Sequence, residues 1–173
     1  MKKISSLASF ILIFIPIITS CQKSVSTNNS NDQPVKKFYG YTEFVMGADL
    51  SYVNQVQDYG GIYKDSGKIK DPFTILKDHG TNLVRVRLWH NPQWLAPLNN
   101  GKLYSDLFDV EKTIQREKNA GMAVNLDLHY SDTWADPDHQ TIPAAWNGLS
   151  LEKLKDSVYS YTMSVLNYFK SKN

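Results

Sequence analysis

The chain has 173 residues, of which 42% are apolar and 21% are charged, with a formal net charge of +2. This composition is typical of one globular domain and excludes a largely disordered chain. Removal of Lys2 and Lys3 with a leader would leave the 17 acidic residues balanced by as many basic ones. The charge therefore gives no reason to expect nucleic acid binding.

The first 21 residues have the layout of a bacterial lipoprotein signal. Lys2 and Lys3 precede an apolar stretch, residues 7–18, that is shorter than the roughly 20 residues needed to span a bilayer. Ile-Thr-Ser then leads into Cys21, the single cysteine of the sequence. We therefore expect cleavage before Cys21, lipidation of its thiol and anchoring to the bacterial cell envelope, at the outer membrane or on the periplasmic or extracellular face. A plain secretory signal with an incidental cysteine is the alternative.

The globular part is expected to begin near residue 38. Residues 22–37 are polar and predict a flexible tether, which leaves residues 38–173 for the domain. The apolar run of residues 44–48 predicts a first strand that ends at Asp49. A loop with several glycines follows, and Asp71 then predicts the N-cap of a short helix.

Two later strands each combine an apolar face with a polar one. In residues 82–89, apolar side chains alternate with Arg85, Arg87 and Trp89. In residues 122–130 the polar face has Asn125, Asp127 and His129. Helices that follow these strands are predicted over about residues 110–120, capped by Asp109, and after Ser150.

The alternation of strands and helices predicts a parallel sheet. Strands covered by helices on both faces are usually apolar on both faces. The polar second face therefore favours an α/β barrel with a site at its interior over an open sheet.

Polar and aromatic residues gather where the carboxyl ends of the strands would meet. The candidates at the strand ends are Asp49, Arg87, Trp89, Asp127 and His129, and the loop of residues 131–147 adds Asp132, Trp134, Asp136, Asp138, His139, Gln140 and Trp146. Carboxylates and amides bind sugar hydroxyls, and indoles cover the apolar faces of sugar rings.

Structural roles are the alternatives for these residues. Asp49 would cap a loop, Arg85 would form a buried ion pair, His129 would be a satisfied core histidine, and at least one tryptophan would only pack. A divalent metal held by Asp127, His129 and Asp132 is a less favoured alternative, because neither H-x-H nor H-E-x-x-H occurs.

One motif in this region resembles a known family. The run HYSDTWADP from His129 to Pro137, with Gln140, Pro143 and Trp146 after it, resembles the signature of glycoside hydrolase family 53, the arabinogalactan endo-β-1,4-galactanases. Residues 47–51 and 82–92 are similar to the family's first and second strands. The resemblance covers about residues 44–170.

The resemblance implies a fold, a reaction and a set of site residues. The fold would be α/β, the N-terminal part of a (β/α)8 TIM barrel with about three β/α units. The reaction would be endo-hydrolysis of β-1,4-galactosidic linkages in galactan or arabinogalactan, the side chains of pectin, with retention. Arg85, or Arg87 in its place, would support the nucleophile, and His129 would lie near the same subsite. The implied substrate-binding residues are Asp49, Arg87, Trp89, Asp127, Asp132, Trp134, Asp136 and Trp146.

The same resemblance implies that the catalytic pair is not in this sequence. Retention requires two carboxylates roughly 5–5.5 Å apart, and the implied glutamates follow strands four and seven, beyond Asn173. The chain alone is therefore expected to be inactive. No cofactor is implied, and a structural calcium would belong to the remaining part of the barrel. A non-catalytic, glycan-binding surface lipoprotein is the alternative function.

Overall fold

The computed structural model describes residues 44–172. The predicted signal segment, the tether and Cys21 lie outside this range. Over the described range the elements are β1 Gly47–Asp49, α1 Val53–Asp58, β2 Lys64–Asp65, β3 Lys68–Ile69, α2 Pro72–Asp78, β4 Leu83–Leu88, α3 Leu107–Asn119, β5 Ala123–Leu128 and α4 Leu151–Ser171. Short 3-10 helices cover Gln93–Leu98 and Ala144–Trp146.

Three strands form one parallel sheet in the order β1-β4-β5. Asp49 is in register with Arg85, and Arg87 is in register with Asp127. Helices follow each of these strands, so the chain makes three β/α units with the polar ends of the strands at one edge. The predicted parallel sheet is confirmed.

Two predicted helix starts agree with the structure, and one was wrong by three residues. Asp71 caps α2 by accepting hydrogen bonds from the backbone N–H of Phe73 and Thr74, and Ser150 Oγ accepts from Lys153 N at 3.5 Å. The cap of α3 is Asp106, which accepts from the N–H of Asp109 at 2.9 Å.

Asp109 therefore lies in the first turn of α3 instead of capping it. Its carboxylate is buried and accepts hydrogen bonds from Ser105 N and Asn54 Nδ2, each at 2.8 Å. Asn54 belongs to α1, so Asp109 links two helices.

The first strand is shorter than the apolar run predicted, because β1 begins only at Gly47. The side chain of Asn82 accepts from Met46 N at 3.0 Å and donates to the carbonyl of Phe44 at 2.9 Å. Before Gly47, side-chain hydrogen bonds of Asn82 thus add to the backbone bond from Asn82 N to the carbonyl of Met46. The predicted loop after β1 also contains α1 and the β2–β3 hairpin.

The apolar face of the sheet forms the core beneath α3 and α4. Val86 and Leu88 of β4 are each 1% exposed and pack with Val110 of α3 and Val165 of α4. The opposite face has Arg85, Asn125 and Asp127. Within residues 44–172, no helix is both long and apolar enough to cross a membrane.

Glu117 of α3 is an exception to the apolar core. The residue has no exposed surface, and neither carboxylate oxygen has a hydrogen-bond partner among the described residues. Burial raises the pKa of Glu117 to about 8. Glu117 is buried on α3 together with Val110 and Thr113.

Candidate functional site

An ion-pair bridge joins the three parallel strands at their polar face. The guanidinium of Arg85 on β4 donates one hydrogen bond to Asp49 Oδ2 on β1 and another to Asp127 Oδ2 on β5. Arg85 and Asp49 keep 41% of their side-chain surface exposed, and Asp127 keeps 27%. The structure thus brings three of the predicted site residues together in one solvent-accessible cluster.

Asp49 has further partners that hold it in the charged form. Burial acts to raise the pKa of Asp49, but hydrogen bonds from the hydroxyl and N–H of Ser51, together with Arg85, outweigh burial and lower the pKa. Ser51 Oγ also accepts from Arg87 N at 2.9 Å. Ser51 therefore joins the end of β1 to β4.

His129 is held between Asp127 and the long loop after β5. Its Nε2 accepts a hydrogen bond from Ala135 N at 3.1 Å, and its Nδ1 lies 3.5 Å from Asp127 Oδ2. A nitrogen that accepts from an N–H has no proton of its own, so a neutral ring has its proton on Nδ1, on the side of Asp127. His129 is only 12% exposed, and its contacts suit a residue that positions its neighbours.

The tip of this loop is folded around Asp136. Its Oδ1 accepts from the N–H groups of Asp138 and His139 and lies 2.8 Å from His139 Nδ1, while Oδ2 accepts from the indole N–H of Trp134 at 3.0 Å. The hydrogen bond from His139 is the main reason that the pKa of Asp136 is lowered. Asp136 therefore orients Trp134, which remains 50% exposed.

Asp132 is the second anchor of the loop. Its Oδ1 lies 3.1 Å from His90 Nδ1, its Oδ2 accepts from Ala144 N at 2.8 Å, and its carbonyl accepts from the indole N–H of Trp94 at 2.9 Å. Both carboxylate oxygens are thus engaged within the chain. This geometry fits a residue that shapes the loop.

Two of the predicted aromatic residues lie inside the protein. Trp146 is 7% exposed and packs on His90 and Tyr161, with ring centroids 4.6 and 5.8 Å apart. Trp89 is 3% exposed, and its neighbour on the polar face, Arg87, is 2% exposed. These residues lie beneath the site surface and are placed to support it.

Sequence reasoning did not single out three exposed or contacting residues of this region. Tyr52 directly follows the Asp49–Ser51 turn and is 46% exposed, Trp94 is 43% exposed, and His90 pairs with Asp132. The sequence could have pointed to these three residues by their position, because each follows the end of a strand that contributes to the site. Across residues 44–172, no group of three or more His, Cys, Asp or Glu side chains is placed to hold a metal ion.

The sequence matches one family along most of its length. The sequence model of glycosyl hydrolase family 53 matches residues 45–173. An arabinogalactan endo-β-1,4-galactanase of Cellvibrio japonicus (strain Ueda107) is 51% identical over 126 residues, which are 72% of this chain and 32% of the relative. An endo-β-1,4-galactanase of Bacillus subtilis (strain 168) is 42% identical over 151 residues, 84% of this chain and 34% of the relative.

Solved structures agree with this match. A fungal β-1,4-galactanase superposes with a TM-score of 0.65 at 36% identity, over 73% of this chain and 36% of the other. The family-53 catalytic domain of Ignisphaera aggregans superposes with a TM-score of 0.66 at 35% identity, over 74% of this chain and 36% of the other. The chain thus spans about a third of the length of the relatives that it matches, and its three β/α units form part of a TIM barrel.

Proposed function

The chain belongs to glycosyl hydrolase family 53, and on that premise we propose that it forms part of an endo-β-1,4-galactanase. The substrate is galactan or arabinogalactan, including the galactan side chains of pectin. The observation that carries the proposal is the cluster of Arg85, Asp49 and Asp127 on the polar face of three parallel strands, near the exposed indole of Trp134. Polar hydrogen-bonding groups next to a flat apolar ring suit a sugar.

Within this site the described residues support the reaction without supplying its two carboxylates. Asp49 and Asp127 are both paired with Arg85, and the carboxylates of Asp132 and Asp136 are bonded within the loop. A retaining glycosidase needs an acid/base and a nucleophile roughly 5–5.5 Å apart and free to reach the substrate. We propose that both come from the part of the family's barrel outside the matched segment. Arg85 then orients the nucleophile and stabilises its charge, as the resemblance implies.

A chimera tests the proposal directly. In it, residues 45–173 replace the matching segment of the Cellvibrio japonicus relative, which supplies the rest of the barrel. The chimera should release galacto-oligosaccharides from β-1,4-galactan, and ¹H NMR should show the β-anomer as the first product, as retention requires. The same preparation should leave β-1,4-mannan and β-1,4-glucan intact. A soluble chimera that cleaves no galactan would sink the proposal.

The same experiment distinguishes the enzyme from a non-catalytic glycan-binding protein. A chimera that binds galactan in pull-down assays with affinity near that of the relative, yet releases no product, would favour the binding protein. Hydrolysis at a rate within about tenfold of the relative would favour the enzyme.

We also propose attachment to the cell envelope through a lipid on Cys21. The support is the sequence alone: two lysines, the apolar residues 7–18 and the Ile-Thr-Ser-Cys ending. Metabolic labelling with a fatty acid should tag the wild-type chain in a bacterial host. Equal labelling of Cys21→Ser would show that the lipid is attached to another residue, and no labelling of the wild type would show that it is absent.

A further inference from the structure

Arg87 is a buried cation without a buried anion. Its side chain is 2% exposed, and no carboxylate of the described residues pairs with it. The Nε and Nη2 atoms are buried and have no hydrogen-bond partner in the described part of the chain. A guanidinium in such a place must be stabilised by other means, because an unpaired buried charge is costly.

Three aromatic rings surround this guanidinium. Arg87 Cζ lies 4.6 Å from the ring centroid of Tyr52, 4.6 Å from that of Trp89 and 5.1 Å from that of Trp134. All three distances are within the range of a cation–π interaction, which strengthens when the cation is desolvated. The rings stabilise the buried charge, and the charge in turn attracts the rings to fixed positions.

The three rings come from segments that follow the three parallel strands. Tyr52 follows β1, Trp89 follows β4, and Trp134 belongs to the loop after β5. Trp89 is buried, whereas Tyr52 and Trp134 are 46% and 50% exposed. The arrangement therefore leaves two exposed rings around one buried cation, in segments that follow the strands of Asp49 and Asp127.

We propose that Tyr52 and Trp134 form an aromatic platform on which a sugar ring of the glycan stacks, and that Arg87 is the positioning residue that holds both rings. The proposal rests on the proposed function and adds Tyr52 to the substrate-contacting residues. Arg87 acts through the rings, since its side chain is only 2% exposed and three rings surround its guanidinium. Asp136 contributes a second restraint through its hydrogen bond to the Trp134 indole.

The platform predicts a specific pattern of binding by the full chain. Saturation-transfer NMR with β-1,4-galactotetraose detects weak binding and gives the dissociation constant by titration. Tyr52→Leu should weaken binding at least about fivefold, as expected for a lost stacking ring, while Tyr52→Phe should bind like the wild type because it keeps the ring. Tyr159→Leu is the matched control, because Tyr159 is 66% exposed on α4, away from the platform.

The positioning role of Arg87 is tested separately, through the ¹⁹F NMR signal of Trp134. With 5-fluorotryptophan incorporated and the Trp134 resonance assigned by Trp134→Phe, Arg87→Met should shift or broaden the ¹⁹F signal of Trp134 and weaken binding. Arg87→Lys retains a cation and should restore part of both. The ¹⁹F signal of Trp146, which is not one of the three rings around Arg87, should not change in either variant.

The outcomes separate the platform from the proposed function. Galactotetraose binding that is unchanged in Tyr52→Leu overturns the platform and leaves the galactanase proposal standing. Binding of cellotetraose but not galactotetraose, lost in Tyr52→Leu, supports the platform and contradicts galactan as substrate. Absence of binding to either tetrasaccharide overturns the platform. An unchanged Trp134 signal in Arg87→Met overturns the positioning role.

Discussion

At the scale of single residues, His129 lies between the strand that holds Asp127 and the loop after β5. The hydrogen bond from Ala135 occupies Nε2, and Nδ1 lies on the side of Asp127. The position of the imidazole ties the carboxylate that pairs with Arg85 to the loop that presents Trp134.

The activity lost on replacing His129 should accordingly be restored by a residue that makes similar hydrogen bonds. In the chimera, His129→Ala should lower kcat/KM at least about tenfold, because loss of position at a reacting centre is costly even when no catalytic group is removed. His129→Gln can accept from Ala135 and donate to Asp127, and it should recover most of the activity. Steady-state kinetics on galactan measures both. Equal losses in the two variants would indicate that the imidazole itself takes part in the chemistry.

Glu117 makes a prediction about pH and stability. Burial raises its pKa to about 8 in the folded protein, whereas the unfolded chain ionises near the ordinary value of 4.5. Between these values the folded state holds a proton that the unfolded state has lost. The free energy of unfolding therefore falls as the pH rises through this window, by up to about 1.4 kcal/mol per pH unit.

Glu117→Gln should remove this dependence. The amide stays neutral, so the chimera with Glu117→Gln should unfold at a higher temperature than the unsubstituted chimera at pH 7.5, with little difference at pH 4.5. Thermal unfolding followed by circular dichroism at a series of pH values gives the comparison. Glu152→Gln is the control, because Glu152 is exposed. Parallel pH profiles for the Glu117→Gln and unsubstituted chimeras would contradict the account.

At the scale of secondary structure, the sequence located the strands of the sheet and left out much of what connects them. Periodicity identified β4 and β5, because alternation of apolar and polar residues is a local signal. The α1 helix and the β2–β3 hairpin were missed, since they lie in a glycine-containing stretch and α1 depends on a distant contact. Asn54 of α1 is buried, and Asp109 and Thr113 of α3 accept its hydrogen bonds.

The corrected start of α3 can be tested by its cap. Asp106→Ala should lower the free energy of unfolding of the chimera by about 1 kcal/mol, the usual cost of a lost N-cap. Asp106→Asn should cost little, because asparagine also accepts from the N–H of Asp109. Chemical denaturation measures both changes. A larger loss in Asp106→Asn than in Asp106→Ala would mean that charge, and not the cap, is what Asp106 supplies.

At the same scale, the long loop after β5 explains why the candidate site was only partly predictable. The motif pointed to these residues as a group but did not separate contacts with a ligand from contacts within the loop. The carboxylate oxygens of Asp132 and Asp136 accept hydrogen bonds from neighbouring backbone and side chains, and Trp146 packs against Tyr161 of α4. Those roles depend on how the loop folds back on itself, which residue type and spacing do not specify.

At the scale of the whole molecule, the described residues leave one flank of the sheet uncovered. A groove of about 870 Å³ lies beside β5 and between α3 and α4. Its apolar lining is Phe108, Ile114, Met122, Ala123, Val124, Leu126 and Phe169. In a complete barrel a neighbouring strand covers this flank of β5, since closure removes free edges.

The exposed groove predicts a difference between the chain and the chimera. The chain should enhance the fluorescence of an apolar dye such as anilinonaphthalene sulfonate and should self-associate at micromolar concentration, because exposed apolar area favours both. The chimera, in which the rest of the barrel covers β5, should do neither. Dye fluorescence and light scattering on matched concentrations give the comparison. Equal dye binding by both proteins would show that the groove stays open in the barrel.

Arg85, held by Asp49 and Asp127, is the part of the catalytic centre that we propose this chain supplies. The most direct test is the turnover of β-1,4-galactan by the chimera with Arg85→Ala, beside Lys68→Ala, an exposed cation on β3, as the control. We predict a kcat at least about a hundredfold lower for Arg85→Ala, as for a lost transition-state contact, and no change for Lys68→Ala. A near-normal kcat for folded Arg85→Ala would contradict the claim.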